Sequence, residues 1–134
     1  MALPGGRQEA ADSDLRATAV RETREEVGID LSQYGQLLGV LDDLRAIGHG
    51  RPLDLIITPF VYYLTAPTTL APNLHEVQSA LWVPLDSLRH HDAHGTHRQE
   101  QFGQQMEFPA FVYLGYTIWG LTHRILTGLL DVLN

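Results

Sequence analysis

Glu22, Glu25 and Glu26 stand three and four residues apart, with Arg21 directly before them and the pair Gly5-Gly6 upstream. On a helix, side chains at i, i+3 and i+4 share a face. The three carboxylates therefore point the same way, within about one quadrant of the helix. Like charges so placed repel. They also fall at the C-terminal end of the helix, where the macrodipole disfavours anions. A helix built for stability alone avoids this arrangement, and Arg21, four residues before Glu25, offsets only part of it. A hard divalent cation such as Mg²⁺ offsets more, because it takes carboxylate and carbonyl oxygens and uses substrate phosphates as further ligands. The glycine pair brings backbone oxygens close to the helix start. On the glutamates alone, a metal site and a solvated charged face stand level.

The elements that must position these groups follow from patterning. Ala2 to Gly6 reads as the end of a strand entering a glycine turn. Asp12 or Ser13 can cap the helix, Asp14 suits its first turn, and Gly28 is placed to end it after Val27. Gln36 to Leu41 is predicted as a short strand, and Asp42 to Pro52 as a charged, Gly-containing loop. Leu53 to Leu64 is β-branched and aromatic, a predicted strand despite Pro59. Ala66 to Pro72 is a turn-rich connection. Val77 to Val83 alternates as a strand should, and Pro84 to Leu88 suggests a short helix. Arg89 to Met106 is polar and His-rich, hence an expected loop, followed by an extended Phe108 to Tyr113. Apolar Ile118, Leu121, Ile125, Leu129 and Val132 predict a helix over 116–133. Strands mixed with two helices indicate an α/β or α+β fold.

Composition narrows the chemistry. A chain of 134 residues is expected to form one domain with a real core. Its net charge of −7 speaks against a nucleic-acid or membrane-surface binder. It leaves room for a phosphorylated small molecule, since a bound cation reverses the local sign. There is no cysteine, which excludes disulfide scaffolds, thiol catalysis and iron–sulfur clusters. All nine basic residues are arginine, so Schiff-base chemistry and the lysine of a phosphate-binding P-loop are also excluded. Phe108 to Leu133 is the most apolar stretch, but its uninterrupted part is shorter than the roughly 20 residues of a membrane span. No secretory signal is read before the glycine turn, and the expected compartment is the cytoplasm.

The segment Arg21-Glu22-Thr23-Arg24-Glu25-Glu26-Val27-Gly28-Ile29 resembles the second half of the Nudix box, with Thr23 in place of an apolar residue. That box runs Gly, five residues, Glu, seven residues, Arg-Glu-apolar-x-Glu-Glu-x-Gly-apolar. Here five residues follow Gly6 before Asp12, and eight rather than seven separate Asp12 from Arg21. The longer box, with Pro4-Gly5-Gly6 before it and Ala17-Thr18-Ala19 within it, is similar to the coenzyme A pyrophosphatase-like subgroup. Leu38 to Asp42, Pro59-Phe60-Val61, Pro72-Asn73 with Glu76-Val77, Val83-Pro84-Leu85 and Ile118 to Thr122 fit as well. The likeness covers nearly the whole chain after Leu3.

The resemblance implies a single Nudix hydrolase domain over residues 1–134, a Nudix-like α/β/α sandwich with a mixed sheet. It also implies strands before the box. Because the chain starts in the strand leading into it, those N-terminal strands are expected to be missing. An unpaired sheet edge invites a homodimer. Implied too is divalent-metal-dependent hydrolysis of a diphosphate, with Mg²⁺ or Mn²⁺ as cofactor and coenzyme A or a derivative as substrate. ADP-ribose and NADH are the alternative substrates, and an inactive nucleotide- or protein-binding module is the alternative of another class. Carried over by position, Glu22 and Glu26 hold metal, with the Gly6 carbonyl nearby. Glu25 holds metal directly or through water and orients the attacking water, while Arg21 fixes a glutamate rotamer. Glu76, outside the box, is the candidate base or extra ligand; its plain alternative is an exposed turn carboxylate.

His90, His91, His94 and His97 invite a transition-metal reading, but their polar setting favours a solvated loop. Trp82 and Trp119 could stack on an adenine. Both lie in apolar patterns, so core packing is the expectation.

Overall fold

The computed structural model describes residues 1–48 and 51–134. In chain order the elements are α1 (Leu15–Val27), α2 (Leu31–Tyr34), β1 (Gly35–Val40), β2 (Leu44–Gly48), β3 (Arg51–Ile57), β4 (Phe60–Leu64), α3 (Leu85–Arg89), a 3₁₀ turn (His91–Ala93), β5 (His94–Gln101), β6 (Gln104–Tyr113), β7 (Tyr116–Trp119) and α4 (Gly120–Leu133). Helices and runs of strands are mixed along the chain, as expected for an α/β or α+β fold. The ladders among the described residues are all antiparallel, so the parallel pair that a mixed sheet requires is not among them. No helix among them is long and apolar enough to cross a membrane. The chain divides into two compact units.

The first unit takes Leu3–Val40 and Phe60–Trp82. Its centre is α1. Asp14, not Asp12 or Ser13, is the N-cap: its carboxylate accepts the Ala17 N–H at 2.8 Å. Asp12 is not free for that task, because Arg21 and Thr18 donate to its oxygens. Gly28 ends the helix at φ 76°, a left-handed conformation that suits glycine, and returns its N–H to the Arg24 carbonyl at 3.0 Å. Asp30 then caps the one-turn α2 by accepting the Ser32 N–H. Thr18, Ile29 and Leu31 are buried.

Strands β1 and β4 pair antiparallel from Gly35↔Leu64 to Val40↔Phe60, with a register shift between Leu37 and Gly39. Two expectations fail in this part of the chain. Residues 2–6 form no strand; the Gly5 N–H goes to the Glu26 carboxylate rather than to a ladder. Residues 77–83 are irregular as well, because a turn from Asn73 to Val77 takes up the local backbone bonds. Trp82, expected in a core, is 55% exposed.

The second unit takes Met1–Ala2, Leu41–Pro59 and Val83–Asn134. The expected loop over 42–52 contains β2 and the start of β3, which pair from Leu44↔Ile57 to Gly48↔Arg51. Positions 49 and 50 of that expected loop lie outside the described residues. The strand expected over 53–64 is two strands. It breaks at Thr58-Pro59, where proline has no N–H for a ladder, and its halves belong to different units.

The polar stretch 89–106 is not a loop; β5 pairs with β6 along its whole length, from His94↔Phe111 to Gln101↔Gln104. Residues 116–119, expected as the start of a helix, pair with β6 as β7, and α4 begins only at Gly120. The core of this unit is Leu88, Phe111, Ile118 and Leu130, with Val83 and Leu126 packed on it. His94 and His97 belong to this packing rather than to a solvated loop, whereas His90 and His91 are exposed. His94 meets Phe111 edge-on at 5.3 Å, and His97 stacks on Trp119 at 4.1 Å, leaving Trp119 half-buried. His123 lies 4.6 Å from Phe111, and burial followed by the nearby His94 lowers its pKa.

Both turns of the β5–β6–β7 meander place a bulky residue in the left-handed region, Phe102 (φ 52°) before Gly103 and Leu114 (φ 48°) before Gly115. Two-residue hairpin turns with both central residues at positive φ favour Asn-Gly. Phe102 and Leu114 are 75% and 77% exposed, so neither gains packing for its strain. Leu114→Asn is expected to stabilise the chain by about 1 kcal/mol, the low end of the cost of a strained residue, read as a raised midpoint in thermal unfolding.

Candidate active site

The first unit gathers the acidic residues. Carboxylate oxygens of Glu22, Glu25 and Glu76 lie within 4.8 Å of one another, although Glu76 comes from the 73–77 turn and not from α1. Glu26 joins them. Burial raises its pKa above the ordinary carboxylate value, with the neighbouring Glu22 and Glu76 adding to the rise and the Gly5 N–H, 3.1 Å away, opposing it. The glycine turn closes the other side. A Cβ on Gly6 would stand 2.1 Å from the Glu22 carboxylate oxygen, so only glycine allows this approach.

Arg21 holds the group together. Its Nε and Nη2 donate to both Asp12 oxygens at 2.9 and 3.0 Å, a bidentate pair. Its Nη1 donates to Glu22 at 3.2 Å and to Glu25 at 3.1 Å, and lies 3.5 Å from Glu9. Nη2 also reaches the Arg7 carbonyl at 3.1 Å, which fixes the loop after the glycines. The Asp12 side chain is 5% exposed and also accepts the Glu9 N–H and the Thr18 hydroxyl. The bond from Arg21 comes first among the causes that hold its carboxyl below the usual range. Arg21 in turn is pushed further into its charged form, chiefly by the bond to Asp12.

Gly6, Arg21, Glu22, Glu25, Glu26 and Glu76, together with the box residue Asp12, thus lie in one unit. The anchoring part played by Asp12 was not read from the sequence. The signal was present in the box spacing, which sets an acid upstream of Arg21.

The donor set fits a divalent cation. Every group in the cluster is a carboxylate, a hard ligand of Mg²⁺ and Mn²⁺. Four carboxylates brought together repel, and a dication relieves that repulsion better than one guanidinium.

The Gly5-Gly6 pair is thus set against a helix of clustered glutamates. The NUDIX domain profile matches residues 1–104, and the chain belongs to this family, whose hydrolases generally use divalent metals. It is 29% identical over 133 residues to the peroxisomal coenzyme A diphosphatase NUDT7 of Mus musculus, covering 92% of this chain and 52% of the relative. It is 32% identical over 142 residues to the mitochondrial coenzyme A diphosphatase NUDT8 of Homo sapiens, covering 99% and 55%. An uncharacterised Nudix hydrolase, NudL of Photorhabdus laumondii, is 33% identical over 126 residues, covering 94% and 64%. The chain thus spans between about half and two thirds of the length of these relatives.

Two predictions follow from this geometry. In Gly6→Ala the flexible Glu22 carboxylate must swing away, so melting should change little while Mn²⁺ affinity falls about 10- to 100-fold by titration. Asp12→Asn removes a carboxyl whose folded pKa is lowered. Its stabilisation is present above the unfolded pKa of about 3.9 and is lost as pH falls through the folded value. The variant should melt below the natural protein at pH 7, and the gap should narrow as pH drops below 4.

Proposed function

We propose that the chain, taken as one Nudix hydrolase domain over residues 1–134, hydrolyses the diphosphate of coenzyme A or a derivative. The products are a phosphopantetheine part and an adenosine bisphosphate part. The observation that carries this reading is the convergence of Glu22, Glu25 and Glu76, with Glu26 beside them, against the Gly5-Gly6 turn. The names of the two mammalian relatives support the choice of substrate.

In this proposal Glu22, Glu26 and Glu25, with the Gly6 carbonyl, hold Mg²⁺ or Mn²⁺. Bound there, the cation supplies charge stabilisation to the diphosphate oxygens. Arg21 keeps Glu22 and Glu25 in their working rotamers through its Nη1. Glu25 orients a water toward one phosphorus, and Glu76 takes its proton. The water oxygen bonds to that phosphorus, and the bridging oxygen leaves with the other phosphate. The partner is a small nucleoside diphosphate derivative. A cytoplasmic setting is proposed on composition alone, since the compartments in the relatives' names belong to those proteins.

The test incubates the chain separately with coenzyme A, ADP-ribose and NADH, with Mg²⁺ or Mn²⁺, and reads products by chromatography and mass. Coenzyme A should be cut at the diphosphate. Chelating the metal should abolish turnover, and Glu26→Gln should lower kcat by about 100-fold or more. Cleavage of ADP-ribose or NADH alone would overturn the substrate assignment while keeping the chemistry. No turnover by folded protein would favour a binding module.

A further inference from the structure

Glu76 lies 50 residues beyond Glu26 in the chain, yet it reaches the same carboxylate group. The link is made by backbone. The last turn of a helix leaves carbonyls without helical partners. Two of those on α1 are taken by the segment before Glu76. Ala71 N–H donates to the Val27 carbonyl at 2.8 Å, and Asn73 N–H donates to the Glu26 carbonyl at 2.9 Å. Gly28 permits this approach, since a Cβ there would stand 2.8 Å from the Ala71 methyl. From Asn73 the chain reverses. The Asn73 side-chain oxygen accepts the His75 N–H at 3.1 Å, and its carbonyl accepts the N–H groups of Glu76 and Val77, both at 2.9 Å. One residue is therefore bonded on one side to the residue that carries the Glu26 carboxylate and on the other to Glu76 itself.

We infer that Asn73 is a positioning residue. Its side-chain oxygen selects the turn that sets the Glu76 carboxylate against Glu22 and Glu25. The chemistry asks for a short side chain with an acceptor three bonds from Cα, which turns the chain over its own next amides. Aspartate meets that requirement and alanine does not. The inference rests on the reading above that Glu76 belongs to the working site. The competing arrangement is that the two bonds to the Asn73 carbonyl hold the turn unaided.

The experiment compares the natural chain with Asn73→Ala, Asn73→Asp, Glu76→Gln and the double variant Asn73→Ala/Glu76→Gln. It reads Mn²⁺ binding by electron paramagnetic resonance without substrate, then kcat and KM on the substrate cleaved in the assay above, and the melting temperature. Asn73→Ala should weaken Mn²⁺ binding and lower kcat, each about tenfold, with KM and melting nearly unchanged. Asn73→Asp should restore both. The double variant should be no worse than Glu76→Gln, because both changes remove one contribution. Natural binding and turnover in Asn73→Ala would overturn the inference and leave Glu76 in its role. So would additive losses in the double variant, or a failure of Asn73→Asp to rescue. Natural behaviour of Glu76→Gln beside a damaged Glu26→Gln would remove Glu76 from the site, and the part assigned to Asn73 with it. Because Mn²⁺ binding is read without substrate, the comparison stands even for a chain that turns over nothing.

Discussion

Carboxylates held a few ångströms apart repel, and the guanidinium of Arg21 is the charge that lets them stay together. Its five donors are shared between an anchor and a cargo. Two oxygens of Asp12 take Nε and Nη2 in a fixed fork, while Nη1 reaches Glu22 and Glu25. A lysine could not divide its charge this way, because an ammonium offers no planar fork. The division also explains why the pair is half-sheltered. Arg21 is 20% and Asp12 5% exposed at the side chain, so the fork is screened less than a surface pair and keeps its geometry.

The same constraint shapes α1. Three glutamates in its last two turns work against the macrodipole, and the helix is secured at its ends instead. Asp14 satisfies an N-terminal amide, Gly28 closes the C-terminus, and the Ala71 and Asn73 amides satisfy further carbonyls of the last turn. The bonds that stabilise the C-terminal end are also those that deliver Glu76. Helix termination and site assembly are one structural event.

The helix and the shared face of its glutamates were legible in the sequence, because local spacing alone decides which α1 side chains share a face. Glu76 was named only through the family resemblance; local spacing does not show its reach, which depends on hydrogen bonds between segments far apart in the chain. Strand β5 was hidden because a half-exposed hairpin strand needs few apolar residues, and His94 and His97 do their packing against Phe111 and Trp119 as aromatic rings. The apolar run before α4 misled in the opposite way: Ile118 is core in a strand, and a helical stripe continuing through Leu121 and Ile125 does not reveal where the strand stops. The alternation of 77–83 carried no strand, because Trp82 stays exposed and Asn73 has already turned the chain.

The Arg21–Asp12 fork is closed in this chain despite its departure from the usual box spacing. Asp12 is one methylene shorter than the glutamate of the pattern, and one extra residue separates it from Arg21. A shorter arm alone would pull the carboxylate away from the guanidinium. The Glu9 N–H and the Thr18 hydroxyl also hold the Asp12 carboxylate. The fork still closes at 2.9 and 3.0 Å. At this point the chain sets an anion at a fixed place beside Arg21, and a side chain one methylene shorter than glutamate suffices to do so.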